Sequence, residues 1–274
     1  MTSFIPILVS KFQSVREYMT PVLTTSQFYE KGQLTPEEFV DAGEYLIRMS
    51  PTWKWGRGDT TRAKVYLPPD KQFLILSSAP CRRRVTTVST EAHCDHDIIS
   101  MFASEVLPGL PVSSVLGSED EYGDISHFAE PDLHVHGMES TVPTLDKKSH
   151  TSAIDRTYEI TIVYDNYYRT PRVYLCGFTN EGRPLSTIET MEDIMQDYIH
   201  KTATIEAHPH SGLNYVSIHP CRHSETMKRI LDVMIANNDG RQPPVQMYMF
   251  LFIKFIGSMI PTIEYDNTIP ISIH

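Results

Sequence analysis

The 274-residue chain is 41% hydrophobic and 21% charged, and its 34 Asp and Glu outnumber 24 Lys and Arg for a formal net charge of −10. That length and apolar content suit one large domain with additions or two small ones, exclude wholesale disorder and, with the acidic balance, exclude a dedicated nucleic-acid binder. The charge is uneven: residues 1–84 sum to +4, residues 85–157 to −10 and residues 158–274 to −4.

At helical spacing, Phe4, Ile5, Leu8, Phe12, Val15 and Met19 fall on one face, with Ser10, Gln13, Ser14 and Glu17 opposite, which predicts an amphipathic helix over residues 4–19. Thr35-Pro-Glu-Glu38 has a capping Thr, Pro at the first helical position and Glu three residues after the Thr, so a second helix is expected from Pro36 to about Met49. Ala63–Leu67 and Gln72–Leu76 read as strands joined by a Pro68-Pro-Asp turn. From Val85 to Thr157 the pattern dissolves into Ser, Thr, His, acids, Pro and Gly, with a short amphipathic island at Ile98–Leu107, and reads as a mostly disordered acidic insertion.

Tyr158–Tyr164 alternates as a half-buried strand does, Arg172–Phe178 continues the pattern, and Asn180-Glu-Gly182 marks a hairpin-like turn. Met191–Tyr198 is expected to be a short helix or turn, with strands at Thr202–Glu206 and Tyr215–Ile218. Ser224 should cap a helix whose Met227, Ile230, Leu231 and Met234 repeat at i, i+3, i+4, i+7 and which Asn237-Asn-Asp-Gly240 ends. Met247–Ile263 contains Lys254, Gly257 and Pro261 and is shorter than the roughly 20 apolar residues of a membrane span, so it reads as a buried core helix. Mixed strands followed by terminal helices give an α+β fold.

Four cysteines, Cys81, Cys94, Cys176 and Cys221, have neither CxxC spacing nor the density of a disulfide scaffold, and the run Phe4–Val9 has no basic residue before it and no small-residue cleavage site after it. A reduced cytoplasmic setting is expected. Cys221 lies between a predicted strand end and a predicted helix start, beside Arg222, where helix N–H groups and a cation both favour a thiolate. Cys81, followed by Arg82-Arg-Arg84, has a similar look, so electropositive flanking alone does not choose between them.

Three chemistries compete for the Cys221 region. A papain-like protease needs a His and an Asn or Asp placed about the thiol, and only His223 and His274 follow it. A zinc site could draw on His208-x-His210 and His219-x-Cys221-x-His223, although capping by a proline-rich loop accounts for the same pattern without metal. An acyl carrier needs only an accessible thiolate, a group to steady the tetrahedral intermediate and a surface for the incoming nucleophile. His93-Cys-Asp-His96 reads as solvated, and the sequence calls for no metal or other cofactor.

The order of motifs Thr20-Pro-Val-Leu23, Leu34-Thr-Pro-Glu-Glu-Phe39, Pro51-Thr-Trp-Lys-Trp55, Pro80-Cys81, Tyr164-Asp-Asn-Tyr-Tyr-Arg-Thr-Pro-Arg172, Lys201–Glu206, His208-Pro-His and His219-Pro-Cys221-Arg-His resembles the autophagy-related protein 3 family, over roughly two thirds of the chain and from both ends. The resemblance implies a ubiquitin-conjugating-enzyme-like fold: an antiparallel sheet flanked by helices, with residues 20–84 and 158–274 forming the catalytic domain, 85–157 the flexible insertion and 1–19 a membrane-binding helix. It implies a transferase that takes a ubiquitin-like autophagy modifier, of the autophagy-related protein 8 class, as a thioester on Cys221. The donor would be an activating enzyme of the autophagy-related protein 7 class, and the acceptor phosphatidylethanolamine in a membrane. The autophagy-related protein 12–5–16 complex is a further implied partner, and the setting is cytoplasmic with transient association with autophagosomal precursor membranes.

No Asn of the kind ordinary ubiquitin-conjugating enzymes place upstream of the cysteine is evident. The family match puts a threonine role on Thr202, with Thr204 on the same side by strand alternation. His219 and Arg222 are expected to support the site, His219 by shaping the turn before Pro220. In the insertion, Glu119-Asp-Glu-Tyr-Gly-Asp-Ile125 resembles the short motif that binds autophagy modifiers by strand addition, Tyr122 and Ile125 filling two apolar pockets. Phe4, Ile5, Leu8, Phe12 and Val15 are the expected membrane contacts. A non-catalytic, membrane-associated scaffold for the modifier is the alternative from another class, and would tolerate loss of Cys221.

Overall fold

A computed structural model describes residues 16–17, 19–84, 156–196, 198–199 and 201–265. The expected membrane contacts at 4–15, the acidic insertion with Tyr122 and Ile125, Cys94, and the C-terminal tail lie outside them.

The fold is α+β. Short helix α1, Phe28–Lys31, ends at Gly32, whose φ of 64° is left-handed and whose place a Cβ would share with the Ser224 carbonyl oxygen at 2.3 Å, so both conformation and space require glycine. Helix α2, Pro36–Met49, starts as its sequence predicts: the Thr35 side chain accepts from the Glu38 N–H while the Glu38 carboxylate accepts from the Thr35 N–H. Strands β1 (Trp53–Gly56), β2 (Phe73–Cys81), β3 (Arg156–Asp165), β4 (Thr170–Thr179), β5 (Ala203–Ala207) and β6 (Asn214–Ile218) form one antiparallel sheet in the order β1-β2-β3-β4-β6-β5. Strand β2 precedes the insertion and β3 follows it, and they pair from Phe73↔Val163 to Cys81↔Arg156. Helix α3, Thr187–Met191, lies between β4 and β5, α4 is His223–Asn237, and α5 is Tyr248–Met259.

Nine of the twelve residues of α5 are buried, as expected of a helix apolar all round. At about 1.5–3 kcal/mol for each large apolar side chain removed from water, Phe250, Leu251, Phe252, Ile253, Phe255 and Ile256 make it a major source of stability. On α4 the buried set Met227, Ile230, Leu231 and Met234 is the predicted stripe.

Three expectations are corrected. Ala63–Leu67 is not a strand; β2 instead pairs with β1, at Trp53↔Leu76 to Gly56↔Phe73. The backbone of that segment is satisfied by the buried Gln72 side chain, whose Oε1 accepts from the Lys64 N–H at 2.6 Å and whose Nε2 donates to the Leu67 and Pro68 carbonyls at 3.2 and 2.9 Å. Val65 is left 99% exposed, so alternation there had no sheet face to serve. Residues 192–199 are mostly turn where described, in keeping with the helix-or-turn reading of 191–198, and a further short helix, Thr187–Met191, precedes them because Ser186 and Glu189 form a reciprocal cap. Strand β3 begins at Arg156, two residues before the expected start. Finally, Ser224 does not cap α4, as described next.

Candidate active site

Strand β6 ends at Ile218 and the chain turns through a 3-10 helix, Pro220–Arg222, directly into α4. Pro220 fixes the first turn, and the His219 Nδ1 accepts the Cys221 N–H at 3.3 Å. His219 therefore caps the 3-10 turn and holds the backbone of Cys221, while α4 follows with Arg222 at its N-cap and no side-chain capping bond. The cysteine sits in that 3-10 turn, two residues before the 15-residue helix begins at His223.

The described cysteines differ in exposure. Cys221 is exposed, Cys176 half-buried and Cys81 fully buried. Burial pushes the Cys81 thiol up to about 11, with Asp193 adding to the rise, while Arg84 donates to its sulfur at 3.5 Å. Arginines beside a cysteine do not make it reactive when the sulfur is desolvated.

His219 is itself held from two sides. Its N–H donates to the Thr202 carbonyl at 2.7 Å, so Thr202 lies across the hairpin from it, and its ring meets Tyr168 edge-on at 5.2 Å. Burial is the main reason its pKa falls, and nearby Arg172 adds to that. The neutral ring accepts at Nδ1, which puts its proton on Nε2. The Thr202 hydroxyl is buried with no partner among the described residues, so its hydrogen is uncommitted. Thr204 lies within β5, and its hydroxyl donates to Glu206 at 2.7 Å.

The four-residue turn between β3 and β4 carries groups that the spacing of motifs did not reveal. Asp165 Oδ1 accepts the N–H groups of Tyr167 and Tyr168, both at 3.0 Å, and so fixes the ring that meets His219. Burial raises the Asp165 pKa, and Arg172 opposes that rise. Arg172 donates to the Ser217 hydroxyl at 2.9 Å and pairs with Asp165 and Glu206, which ties β3, β4, β5 and β6 together under the site. The signal available in the sequence was Asp165-Asn166, a pair suited to capping its own turn. The C-terminal end of the expected N-terminal helix and the residue after it also dock here: the Arg16 guanidinium lies 3.6 Å from the Tyr167 ring centre, Glu17 pairs with Lys64 at 2.7 Å, and Thr20 O accepts from Asn166 at 2.8 Å. A cleft of about 370 Å³, lined by Arg16, Glu17, Asp165, Arg172 and Glu206 among others, opens beside the turn; Cys221 does not line it.

The histidines set out for zinc do not converge. His208 and His210 pack against Phe73 with ring centres at 5.6 and 4.9 Å, whereas His223 is buried between Phe252 and Phe255 with Nδ1 3.0 Å from the Pro171 carbonyl. Among the described residues no three His, Cys, Asp or Glu side chains are grouped to hold a metal. Burial keeps His208 and His210 at about 4 and His223 at about 3, so all three are neutral near pH 7.

Residues 38–267 match the family described as autophagocytosis associated protein, active-site domain. The chain belongs to the autophagy-related protein 3 family. It is 38% identical to autophagy-related protein 3 of Arabidopsis thaliana over 94% of each chain, and 35% identical to that of Dictyostelium discoideum over 98% of each. Autophagy-related protein 3 of Saccharomyces cerevisiae is 33% identical, over 94% of this chain and 98% of the relative. Membership makes this an autophagy protein with a role in conjugation, and the matched domain contains Cys221, His219 and Thr202.

Proposed function

We propose that this member of the family accepts a ubiquitin-like autophagy modifier as a thioester on Cys221 and transfers it to the amino group of phosphatidylethanolamine. The carrying observation is that Cys221 is the exposed cysteine among those described, set at a helix start with its backbone held by His219. In the first step the Cys221 thiolate attacks the modifier's terminal carbonyl carbon on the activating enzyme; a C–S bond to Cys221 forms and the bond to the donor sulfur breaks. In the second, the neutral lipid amine attacks that carbon, the carbonyl oxygen takes up charge, and the C–S bond breaks as the amine proton passes to water.

The uncommitted hydroxyl of Thr202 supports a role as donor to the oxyanion, for which one well-placed group contributes about 3–4 kcal/mol. With Nδ1 occupied, neutral His219 is read as a positioning residue rather than a base. Replacing Thr202 by the isosteric Val removes no hydrogen bond of the described fold, so melting should be unchanged while loaded enzyme accumulates and discharges at least tenfold more slowly on vesicles containing phosphatidylethanolamine. Equal discharge would remove Thr202 from the mechanism. Vesicles of phosphatidylcholine alone should yield no lipidated modifier.

The membrane reading rests on residues 4–15 and on Met19, which the expected apolar face includes and which is 76% exposed rather than packed on the domain. No helix among the described residues is long and apolar enough to cross a membrane. Leu8→Asp should abolish flotation with small vesicles. Tyr122 and Ile125 are proposed to bind the modifier, and a peptide of residues 116–130 should shift on titration with it. The activating enzyme and the autophagy-related protein 12–5–16 complex complete the proposed partners, and the working location is the cytoplasm with transient membrane association.

A further inference from the structure

The two edges of the sheet are treated differently. At one edge, β1 is four residues long and presents the exposed Lys54, a usual guard against pairing with another chain. At the other, β5 has no bulge and no lysine within it, and its outward-facing surface carries Ile205, 46% exposed. The ladder fixes which backbone groups of β5 are free. His219 N–H donates to Thr202 O and His208 N–H to Leu213 O, and with Thr204↔Ser217 and Glu206↔Tyr215 in register the even-numbered residues of β5 bond to β6. The N–H groups of Ile205 and Ala207 therefore point away from β6, and no partner among the described residues takes them. Ala203 N–H is taken by Tyr198 O at 2.9 Å, which closes the edge at the end nearest His219.

We propose that this open edge of β5 receives the extended C-terminal tail of the modifier as an added antiparallel strand that leads its terminal carbonyl to Cys221. The inference rests on the thioester reading above and names the surface that reading leaves open. Direction decides the occupant. Strand β5 runs away from Thr202, whose carbonyl holds His219, two residues before the cysteine, so an antiparallel partner runs toward Cys221 and ends there. A substrate delivered by its C-terminus needs that polarity. Backbone pairing at Ile205 and Ala207 supplies register without demanding particular tail side chains, and Ile205 offers one apolar contact beside it.

The test uses the full chain with activating enzyme, modifier and ATP. Ile205→Pro removes an outward N–H and leaves the bonds to β6 in place, so it should melt like the wild type yet load Cys221 at least tenfold more slowly. Because proline can disturb a strand, a second measurement leaves the backbone intact: Cys221→Ser is loaded to a stable ester, and amide hydrogen exchange at Ile205 and Ala207 is compared with the unloaded variant. Protection there should rise at least tenfold. Unchanged exchange at both amides, or wild-type loading by a folded Ile205→Pro, overturns the edge assignment, as does faster loading, which would mean that another segment of this chain occupies the edge. Failure of the wild-type chain to load at all would instead overturn the thioester reading.

Discussion

Cys81 and Cys221 share a local signature, a cysteine followed at once by arginine, and the fold sends them to opposite environments. Cys81 closes β2, bridges to Ile263 and is covered by a polar cluster built on one buried carboxylate. Asp193 accepts from Tyr158 at 2.6 Å, from Arg156 at 2.8 Å and from Arg84 at 3.3 Å, and its backbone carbonyl accepts from Thr262 at 2.7 Å. Arg156 at the start of β3 and Arg84 just before the insertion thus serve the same aspartate, and the positive charge that looked available to Cys81 is spoken for. At Cys221 the sulfur stands outside, and what is fixed is the backbone beneath it. Reactivity follows desolvation first and neighbouring charge second.

The largest contrast should appear in alkylation. In a background with Cys94 and Cys176 replaced by Ser, iodoacetamide at pH 8 should modify Cys221 on the order of a hundredfold or more faster than Cys81, whose raised pKa leaves little thiolate and whose burial blocks access. Peptide mass mapping over time reads this ratio, and similar rates would remove the distinction. Next comes Asp193→Ala, which takes the buried carboxylate away from Arg156, Arg84 and the Tyr158 hydroxyl. Losing one partner of a buried pair costs about 3–5 kcal/mol, to be read from denaturant midpoints. The same variant should speed alkylation of Cys81 and leave Cys221 unchanged.

The smallest effect concerns acid. His208, His210 and His223 are held neutral in the fold, with pKa values below the unfolded value near 6.5. Stability from keeping them neutral is complete above that pH and is lost as pH falls toward about 4, because the unfolded chain then binds protons that the folded one refuses. Burial raises Asp165 and Glu159, which work in the opposite sense, so the clean comparison is between the wild type and His210→Leu. The variant should show a shallower loss of stability between pH 6.5 and 4. An identical slope would show that His210 protonates as freely in the fold as in water.

Much of the architecture was legible in residues whose local signal and tertiary role agree. Thr35 and Glu38 cap α2 as their spacing requires, and the stripe on α4 is the buried one. Misreadings arose where a side chain replaced a backbone partner. Gln72 satisfies 64–68 in place of a strand, and His219 caps a 3-10 turn ahead of α4, where the sequence pointed to a cap at Ser224. Neither substitution has a periodicity to read. Cys221 stood out from its position between strand and helix, but its choice over Cys81 needed burial. Asp165, Tyr168 and Arg172 share one hairpin, but Glu206 and His219 lie far along the chain, so only the sheet register brings the two groups together.

Everything proposed for this chain depends on Cys221 carrying the modifier. The direct measurement is to incubate wild type, Cys221→Ser and Cys81→Ser with activating enzyme, modifier and ATP, and to separate the products with and without thiol reductant. The account predicts a thiol-labile adduct for the wild type and Cys81→Ser, and for Cys221→Ser a thiol-resistant, alkali-labile ester with no transfer to lipid. A thiol-labile adduct on Cys221→Ser at the wild-type level would contradict it.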